Sequence, residues 1–408
     1  MKISFHTFGC KCNLYDSNQI ASFFCDDPFF EVAEGEIKAN IHVINTCTVT
    51  SSADAQARNL IRHIDKNNRD SLIVVIGCSV RGNSNDYLEI TSELKNNSNR
   101  FLVIDNMKED VISSISNQVG RQISGITRIV PAFRTRASVK ITDGCNNFCS
   151  YCIVPFVRGR EKSRSIDDIV REIKNLESND IKEVIITGIS IGDYSFGLEN
   201  LLEELLKSTQ NIRFRISSLR PSKISEKLIE LMKIKRVCPH VHVSLQSASD
   251  KVLKLMNRLD YTAQSFSERI KYFHKKLDHR DPFIAADVIV GFPGEGEKEF
   301  KETLEILNDI PMNKLHVFTF SPRPGTKAYD MKKENDGIVR KRRDILLEFS
   351  DQRYKSSLKN MVGKNVEILW ESETDGHTEN YYPVCGAGKP NKLESHIIKL
   401  TDGNVIKI

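Results

Sequence analysis

Three cysteines at the spacing C-x3-C-x2-C constrain the middle of this chain more than any other feature. Cys145, Cys149 and Cys152 lie in the stretch DGCNNFCSYC, residues 143–152. Thiolates on one tight loop suit an iron–sulfur cluster, whose cubane form takes four ligands. Three cysteines leave one iron without a protein ligand, so that iron is open to a small molecule. The alternative, a structural zinc site, would normally show a second Cys/Cys or Cys/His half, and the sequence has none nearby.

The spacing C-x3-C-x2-C resembles the signature of the radical S-adenosylmethionine superfamily. The resemblance implies that Cys145, Cys149 and Cys152 hold a radical-generating 4Fe–4S cluster. It also implies that the open iron binds S-adenosylmethionine through its amino and carboxylate groups. Radical chemistry is an established use of that cofactor.

Composition indicates a chain of several domains outside the membrane. A length of 408 residues suggests two or three domains, and 39% hydrophobic residues are enough to fill their cores. The start, MKISFH, lacks the apolar stretch of a signal peptide, and no apolar run approaches the length of a membrane span. We therefore expect a cytoplasmic protein with no membrane partner. There, ten cysteines are more often metal ligands or core residues than disulfides.

In the first third of the chain, three predicted strands each end at a cysteine. The strands are Ile3–Phe8 before Cys10, Ile41–Ile44 before Cys47, and Leu72–Ile76 before Cys78, with helices predicted over 15–24, 53–64 and 87–94. This alternation predicts a doubly wound parallel sheet, whose sites form beyond the carboxyl ends of the strands. The three cysteines would converge there, which predicts a second cluster with three ligands. The alternative is that each is a small buried hydrophobe, as we interpret Cys12, Cys25, Cys238 and Cys385.

From about Thr135 to Asp351 the chain repeats a unit of strand, loop and helix. Six strands are predicted: Val139–Ile141, Glu183–Thr187, Arg213–Ser217, His240–Ser244, Phe283–Val290 and Lys314–Phe320. Six such units fit the open, partial (β/α)6 barrel of radical S-adenosylmethionine enzymes. Sites in such barrels lie at the carboxyl ends of the strands, so the six turns should surround the active site.

Longer segments make the resemblance more specific. FGCKCNLYDSNQ at 8–19, INTCTVTSSADAQARNLIR at 44–62 and VVIGCSV at 74–80 resemble the N-terminal domain of the methylthiotransferases. GCNNFCSYCIVPFVRGREKSR at 144–164 is similar to their radical domain. The resemblance covers nearly the whole chain and implies that Cys10, Cys47 and Cys78 hold an auxiliary 4Fe–4S cluster. It predicts an N-terminal domain over 1–120, a linker over 121–134, a radical core over 135–355 and a TRAM-like domain over 358–408.

The same resemblance implies contacts to cofactor and substrate. The candidate cofactor-binding residues lie in the cluster loop or at strand ends: Phe148, Tyr151, Thr187, Gly188, Ser217, Ser218, Gln246 and Asp287. Arg158 in FVRGR and Arg323 in SPRPGT match basic positions of the family and are candidates to hold a carboxylate or an RNA phosphate. The alternatives are loop packing for the aromatic residues, internal hydrogen bonding for the polar ones and surface placement for the arginines.

The sequence departs from the family pattern at two places in the barrel. Leu219-Arg220-Pro221 follows the RISS strand, where the family often carries an acidic residue that would bind ribose. MNRLDYT at 256–262 is one residue longer than the usual pattern, so no role is carried over to Arg258.

The last 48 residues predict a small β-barrel. Strands are expected at Val366–Trp370, within His377–Val384 and at Ile397–Lys399, and GHTENYYPV at 376–384 resembles the TRAM domain, a nucleic-acid-binding module. Residues 361–408 hold five Lys and seven Asp/Glu, so charge alone does not indicate RNA binding. Trp370, Tyr381 and Tyr382 have rings suited to stacking on bases, although aromatic residues in so small a barrel are more often core.

The combined resemblance implies a tRNA methylthiotransferase. FHTFGCKCNLYDSN and LHVFTFSPRPGTKA are most similar to the branch that acts on N6-threonylcarbamoyladenosine at tRNA position 37. The implied cofactors are two 4Fe–4S clusters and S-adenosylmethionine, and the implied partners are tRNA and a flavodoxin- or ferredoxin-type reductant. Basic stretches at 121–164 and 211–236 can bind phosphate or be solvated faces.

Three alternatives stay open at the level of sequence. One sister branch carries out the same chemistry on N6-isopentenyladenosine in tRNA, and another methylthiolates an aspartate of a ribosomal protein. The third is an electron-transfer protein with two clusters, although such proteins normally show complete sets of four cysteines.

Overall fold

The computed structural model describes residues 1–82, 84–93, 100–105, 109–123 and 135–408. Most of the predicted linker, residues 124–134, and the end of the helix predicted over 87–94 lie outside the described residues. The described chain forms an N-terminal parallel sheet, a central barrel of parallel strands and a small C-terminal sheet. This is the predicted α/β architecture.

The N-terminal sheet has five parallel strands in the order β2-β1-β3-β4-β5. Its elements are β1 Lys2–Thr7, α1 Lys11–Cys25, β2 Glu31–Glu34, β3 Ile41–Thr46, α2 Ser51–Asn67, β4 Leu72–Gly77, α3 Cys78–Gly82, α4 Ser84–Glu93, β5 Phe101–Val103 and α5 Glu109–Val119. One face packs on α1 and α5 and the other on α2 and α4, so β3 and β4 are apolar on both sides. The predicted doubly wound sheet is confirmed, whereas β2, β5 and α5 were not predicted because they are short or weakly patterned.

The central unit consists of six parallel strand positions with helices between them. Its elements are β6 Arg136–Asp143, α6 Val154–Val157, β7 Lys162–Ser163, α7 Ile166–Ser178, β8 Glu183–Gly188, α8 Leu198–Ser208, β9 Arg213–Ile216, β10 Ser218–Leu219, α9 Glu226–Leu231, β11 His240–Gln246, α10 Asp250–Leu255, α11 Ala263–Leu277, β12 Phe283–Val290, α12 Glu297–Asp309, β13 Lys314–Thr319 and α13 Asp336–Lys359. The strand predicted over 213–217 is divided at Ser217. There the chain passes from the sheet β7-β6-β8-β9 to the sheet β10-β11-β12-β13.

Alternation along the strands gives the barrel a polar interior. In β11, Val241, Val243 and Leu245 belong to the main hydrophobic core, whereas His240 and His242 lie on the opposite face. Charged residues that face the interior therefore need partners inside the barrel, or partners from the N-terminal and C-terminal sheets.

The C-terminal sheet has the order β17-β14-β15-β16-β19-β18. Its strands are β14 Asn365–Trp370, β15 Asp375–Thr378, β16 Pro383–Cys385, β17 Leu393–Ile397, β18 Leu400–Asp402 and β19 Val405–Lys407. The strand predicted at Ile397–Lys399 is wrong. Ile397 ends β17, and Ile398 turns into the core with its backbone bonded to Gly363 and Lys364.

Aromatic residues of the C-terminal sheet are core residues, not an exposed stacking surface. Trp370 and Tyr382 are buried in a cluster that also contains Phe283 of β12 and Tyr354 of α13. The C-terminal sheet thus shares its core with the barrel. Among the described residues, no helix has the length and apolar character needed to cross a membrane.

Candidate functional site

Cys10, Cys47 and Cys78 follow the carboxyl ends of β1, β3 and β4, three adjacent strands of the N-terminal sheet. Close backbone approach at these turns requires glycine. Gly9 has φ +93°, and a Cβ on it would lie 2.5 Å from the Cys47 Sγ; Gly77 has φ +105°, and its Cβ would lie 2.4 Å from the Thr46 carbonyl oxygen. The glycines therefore bring the three cysteine-bearing turns together.

Asn13, in the first turn of α1, joins these turns. Its Nδ2 donates to the carbonyl oxygens of Phe8 and Thr46, both at 2.9 Å. Its Oδ1 lies 4.0 Å from the Cys10 Sγ and 3.8 Å from the Cys78 Sγ. Sequence analysis missed Asn13, although its position three residues after Cys10 is a usable signal.

The thiols of this set differ in acidity. A hydrogen bond from Cys12, with the charge of Arg158 nearby, lowers the pKa of Cys10 to about 6. Burial raises the pKa of Cys47 to about 12. Because a thiol must lose its proton to bind a metal, loading of Cys47 releases a proton at neutral pH.

Arg158 connects the N-terminal turns to the barrel. Its Nε donates to the Cys78 Sγ at 3.0 Å, and its Nη2 donates to the Asn13 Oδ1 at 2.6 Å. The same guanidinium pairs with Asp143 at 2.8 Å and Asp16 at 3.2 Å. Its side chain is only 2% exposed, so all its donors are directed at protein groups rather than at a surface ligand.

Cys145, Cys149 and Cys152 lie on the loop that follows β6. Gly144 has φ +74°, and a Cβ on it would lie 2.1 Å from the Arg160 carbonyl oxygen, so the loop closes tightly against the chain beyond α6. The three cysteines line a cavity of about 220 Å³ at the carboxyl ends of the barrel strands. Burial raises the pKa of Cys152 to about 12, so loading of this set also releases a proton at neutral pH.

Three of the eight predicted cofactor contacts line this cavity: Tyr151, Ser218 and Gln246. Tyr151 also packs edge-on against Phe292, with ring centroids 6.3 Å apart. Gln246 has φ +72°, an unfavourable conformation for a residue with a side chain and one that is common at binding sites.

The other five predicted contacts are not among the described residues that line the cavity. Phe148 packs against Phe156 and lies under Arg160. Thr187 and Ser217 are buried, and Asp287 lies 2.7 Å from the His242 Nε2. At Gly188 a Cβ would lie 2.2 Å from the Thr142 Oγ1, so glycine is needed there for contact between β8 and β6.

The structure adds two arginines that sequence analysis left without a role. Arg220 and Arg258 line the cavity, and each places an Nη1 3.8 Å from the Cys149 Sγ. Both guanidinium groups therefore place positive charge at the cysteine loop. Arg220 pairs with Asp260, which is not among the described residues that line the cavity. No sequence signal connects residues 220, 258 and 149, because the fold alone brings them together.

Arg323 lies between the N-terminal sheet and the barrel. It follows β13, and its Nη1 lies 2.9 Å from Asp54 Oδ2 of α2. Its side chain is 9% exposed, so the surface placement considered above does not apply.

Each of the two donor sets consists of three thiols. Thiolates are the usual ligands of iron–sulfur clusters, and three of them leave one iron of a cubane open. Each set of three thiols therefore suits a 4Fe–4S cluster with one open iron.

Comparison with known families matches both cysteine-bearing units. Residues 139–307 match the radical SAM superfamily, and residues 2–96 match a family described as uncharacterized protein family UPF0004. The two matches contain the two cysteine sets separately.

Several curated proteins are similar over nearly their whole length. The threonylcarbamoyladenosine tRNA methylthiotransferase MtaB of Bacillus subtilis is 34% identical, over 96% of this chain and 91% of that protein. The protein of the same name from Aquifex aeolicus is 31% identical, over 95% and 97%. The tRNA-2-methylthio-N(6)-dimethylallyladenosine synthase of Thermodesulfovibrio yellowstonii is 32% identical, over 98% and 94%.

Among solved structures, the radical S-adenosylmethionine methyltransferase TsrM of Kitasatospora setae has a similar fold. The TM-score is 0.57 over 80% of this chain and 76% of that one, at 14% identity. That structure contains cobalamin and a 4Fe–4S cluster. At this identity the similarity concerns the fold alone.

Proposed function

The chain belongs to the methylthiotransferase family of radical S-adenosylmethionine enzymes, and from this premise we propose its substrate. We propose that it adds a methylthio group to carbon 2 of N6-threonylcarbamoyladenosine at tRNA position 37. The product is the 2-methylthio derivative. The full-length similarity to proteins of that name supports this choice.

One structural observation carries the proposal. The turn that carries one cysteine set and the strand that leads into the other set are joined by a single residue, Arg158. Arg158 contacts Cys78 directly and also binds Asp143, two residues before Cys145. A reaction that needs hydrogen abstraction and sulfur insertion at one carbon needs two such centres close together.

The cysteines define which residues would hold each group. Cys145, Cys149 and Cys152 would hold one 4Fe–4S cluster with S-adenosylmethionine, and Cys10, Cys47 and Cys78 would hold the other. When bound, these groups supply a radical able to take hydrogen from an unactivated C–H bond, a sulfur atom and a methyl group.

The remaining site residues position and shield the reacting groups. Tyr151, Ser218 and Gln246 line the cavity beside the cysteine loop and are the proposed cofactor contacts. Arg220 and Arg258 keep positive charge beside Cys149. Since a base inside a stack cannot enter such a cavity, the target adenosine must leave its stack.

Partners and location complete the proposal. The proposed RNA partner is tRNA, which the names of the relatives support. We also propose a flavodoxin- or ferredoxin-type protein as the source of electrons, and the cytoplasm as the place of the reaction.

The second candidate substrate is N6-isopentenyladenosine in tRNA. It is favoured by one observation, the 32% identity over 98% of this chain to a protein named for the dimethylallyl product. The chemistry at carbon 2 is the same for both substrates, so the substituent on N6 distinguishes them.

A reaction in vitro tests the proposal. The protein with reconstituted clusters is incubated with S-adenosylmethionine, a reductant and tRNA carrying either modified adenosine, and the nucleosides are analysed by mass spectrometry. We expect the methylthio product from the threonylcarbamoyl substrate only. Replacing Cys10, Cys47 and Cys78 by alanine should abolish the product while S-adenosylmethionine is still cleaved. Product from the isopentenyl substrate alone would contradict the proposal.

A further inference from the structure

Arg258, in the turn after α10, is a buried arginine whose charge no carboxylate matches. The residue is only 4% exposed. Its Nε donates to the Tyr261 hydroxyl at 2.9 Å, its Nη2 donates to the carbonyl and hydroxyl oxygens of Ser244, and its Nη1 lies 3.8 Å from the Cys149 Sγ. Among the described residues no Asp or Glu forms an ion pair with it. A buried charge without a counter-charge is costly, so this guanidinium needs an anion nearby.

Arg258 is held in place against the cysteine loop. Asn257 has φ +56°, and its Nδ2 donates to the Phe148 carbonyl oxygen at 3.0 Å. The Ser150 N–H donates to the Met256 carbonyl oxygen, also at 3.0 Å. These bonds join the turn after α10 to the loop on both sides of its second cysteine. The distance from the guanidinium to the loop is therefore set by the fold.

Arg220 provides a comparison in the same cavity. Its Nη1 lies at the same distance, 3.8 Å, from the Cys149 Sγ. Its guanidinium pairs with Asp260, with 3.0 Å between Nε and Oδ2, so these two side chains together are neutral. Of the two arginines, only Arg258 therefore adds an unmatched positive charge beside this thiol.

A 4Fe–4S cluster held by Cys145, Cys149 and Cys152 supplies the missing anion. The oxidised core with three thiolates has a net negative charge, and the uptake of one electron adds another. A fixed positive charge stabilises the more negative, reduced form more strongly, and the effect is largest where water is excluded. Net charge and hydrogen bonds to sulfur set the reduction potentials of such clusters. A cation fixed beside Cys149 therefore raises the potential.

We propose that Arg258 is the counter-charge of this cluster and that it raises the reduction potential of the cluster. The cluster gains one electron from a flavodoxin- or ferredoxin-type donor, which is itself oxidised by one electron. By raising the potential, Arg258 allows a weaker reductant of that class to carry out the transfer. This inference rests on the proposed function, which requires the reduction of this cluster.

The test is a redox titration followed by electron paramagnetic resonance, without S-adenosylmethionine or tRNA. The full chain carries Cys10→Ala, Cys47→Ala and Cys78→Ala together, so that one cluster remains, and this protein is the reference. We expect Arg258→Gln to lower the ratio of reduced to oxidised cluster at a fixed potential at least tenfold, which is a shift of about 59 mV for a one-electron couple. Arg258→Lys keeps the charge and should stay within threefold of the reference.

The matched control is Arg220→Gln combined with Asp260→Asn. It removes the other guanidinium near Cys149 together with its counter-charge, so the net charge is unchanged and the ratio should stay within threefold of the reference. Iron analysis, with about four irons per chain expected, and thermal unfolding establish that each variant is loaded and folded. Loss of the cluster from Arg258→Gln but not from Arg258→Lys would also support the charge pairing.

Three kinds of result would overturn the proposal. An unchanged potential in Arg258→Gln would show that this charge does not act on the cluster, and at least tenfold weaker binding of S-adenosylmethionine by the same variant would then assign Arg258 to the carboxylate of that cofactor. Equal shifts in Arg258→Gln and in the control would show that hydrogen bonds to sulfur, rather than net charge, set the potential. Equal shifts, or equal loss of the cluster, in Arg258→Gln and Arg258→Lys would assign Arg258 a structural role. If the potential shifts as expected but no methylthio product forms with tRNA, the proposed function fails and this inference stands.

Discussion

Single residues at the domain junctions carry charges that the fold must neutralise. Arg158 is buried among Asp16, Asp143 and Asn13 while it donates to the Cys78 thiol. Lys140 contacts the same two aspartates, at 2.5 and 2.7 Å. The junction is therefore a network in which one arginine serves both packing and the proposed auxiliary cluster.

Arg158→Gln should weaken the N-terminal cysteine set selectively. Without the guanidinium, the buried Asp16 and the partly exposed Asp143 share Lys140 alone, and we expect a loss of about 3 kcal/mol in the free energy of unfolding. Iron content should fall from about eight toward about four per chain. The set at 145–152 should keep its cluster, because Arg220 and Arg258 still lie beside it. Iron and sulfide analysis with urea unfolding measures both effects. Full iron content in this variant would show that Arg158 does not support the cluster.

Glu183 is the counter-charge at the other end of the barrel. It is fully buried and accepts hydrogen bonds from Arg213 and Arg215 at 2.7 Å. Burial alone raises the pKa of a carboxyl group, but Arg215 and Arg213 outweigh it and hold the pKa of Glu183 well below its ordinary value. Its contribution to stability is therefore complete above the unfolded pKa, about 4.3, and is lost as the pH falls below it.

Glu183→Gln should lower the free energy of unfolding by about 3–5 kcal/mol at pH 7, because it leaves buried arginines without a counter-charge. The difference from wild type should shrink as the pH falls below about 4. Urea unfolding at several pH values measures it. Glu230→Gln, which removes one partner of an exposed pair with Lys233, is the control and should resemble wild type. A pH-independent difference would contradict the assignment.

At the scale of elements, the loop after β6 depends on a contact that only glycine allows. Gly144 meets the Arg160 carbonyl oxygen, whereas Gly159, at a similar φ of +75°, has open space where its Cβ would lie. Both glycines need a positive φ, but only at Gly144 would a Cβ collide with a neighbouring atom. They therefore separate backbone strain from the effect of the close contact.

Gly144→Ala should cost the set at 145–152 its cluster, because a Cβ 2.1 Å from the Arg160 carbonyl oxygen forces the loop open. We expect iron to fall from about eight to about four per chain, with the N-terminal set intact. Gly159→Ala should cost only about 1 kcal/mol in stability and keep its iron. Equal iron content in the two variants would show that the contact does not hold the loop.

The strands and the cysteine-bearing turns that follow them could be predicted from the sequence where a clear hydrophobic run ends just before a cysteine. The sequences of β3, β4 and β12 are continuous apolar runs, which are typical of buried parallel strands. The cysteines follow such strands, and the carboxyl ends of adjacent parallel strands lie at one edge of the sheet. The sequence could not predict Arg220 or Arg258 as neighbours of the Cys149 thiol. Their contacts depend on how loops distant in sequence are oriented, which periodicity does not encode.

At the scale of the whole molecule, the C-terminal sheet covers the end of the barrel where β8, β9 and β12 begin. Arg215 donates to the backbone carbonyls of Thr378 and Glu379, and Phe283 of β12 lies in the same core as Trp370. The net acidic composition of residues 361–408 agrees with this role, since acidic and carbonyl groups face the arginines of the barrel. The sequence predicts a TRAM-like domain over 358–408 but not this shared core, because contacts between distant segments leave no local pattern.

Removing residues 361–408 should therefore destabilise the barrel itself. It would expose Phe283 and Tyr354 and leave Arg213 and Arg215 with fewer partners. We expect a chain ending at residue 360 to be largely insoluble, or to unfold at least about 10 °C lower than the full chain. Soluble yield and thermal unfolding measure this. An unchanged unfolding temperature would mean that the C-terminal sheet is an independent domain.

The central claim is that the enzyme methylthiolates threonylcarbamoyladenosine in tRNA. The most direct measurement is mass spectrometry of tRNA nucleosides from cells with and without the gene. We predict that deletion abolishes 2-methylthio-N6-threonylcarbamoyladenosine, that its unthiolated precursor accumulates, and that the wild-type gene restores the product. A change confined to the isopentenyl derivative, or no change in either nucleoside, would contradict the account.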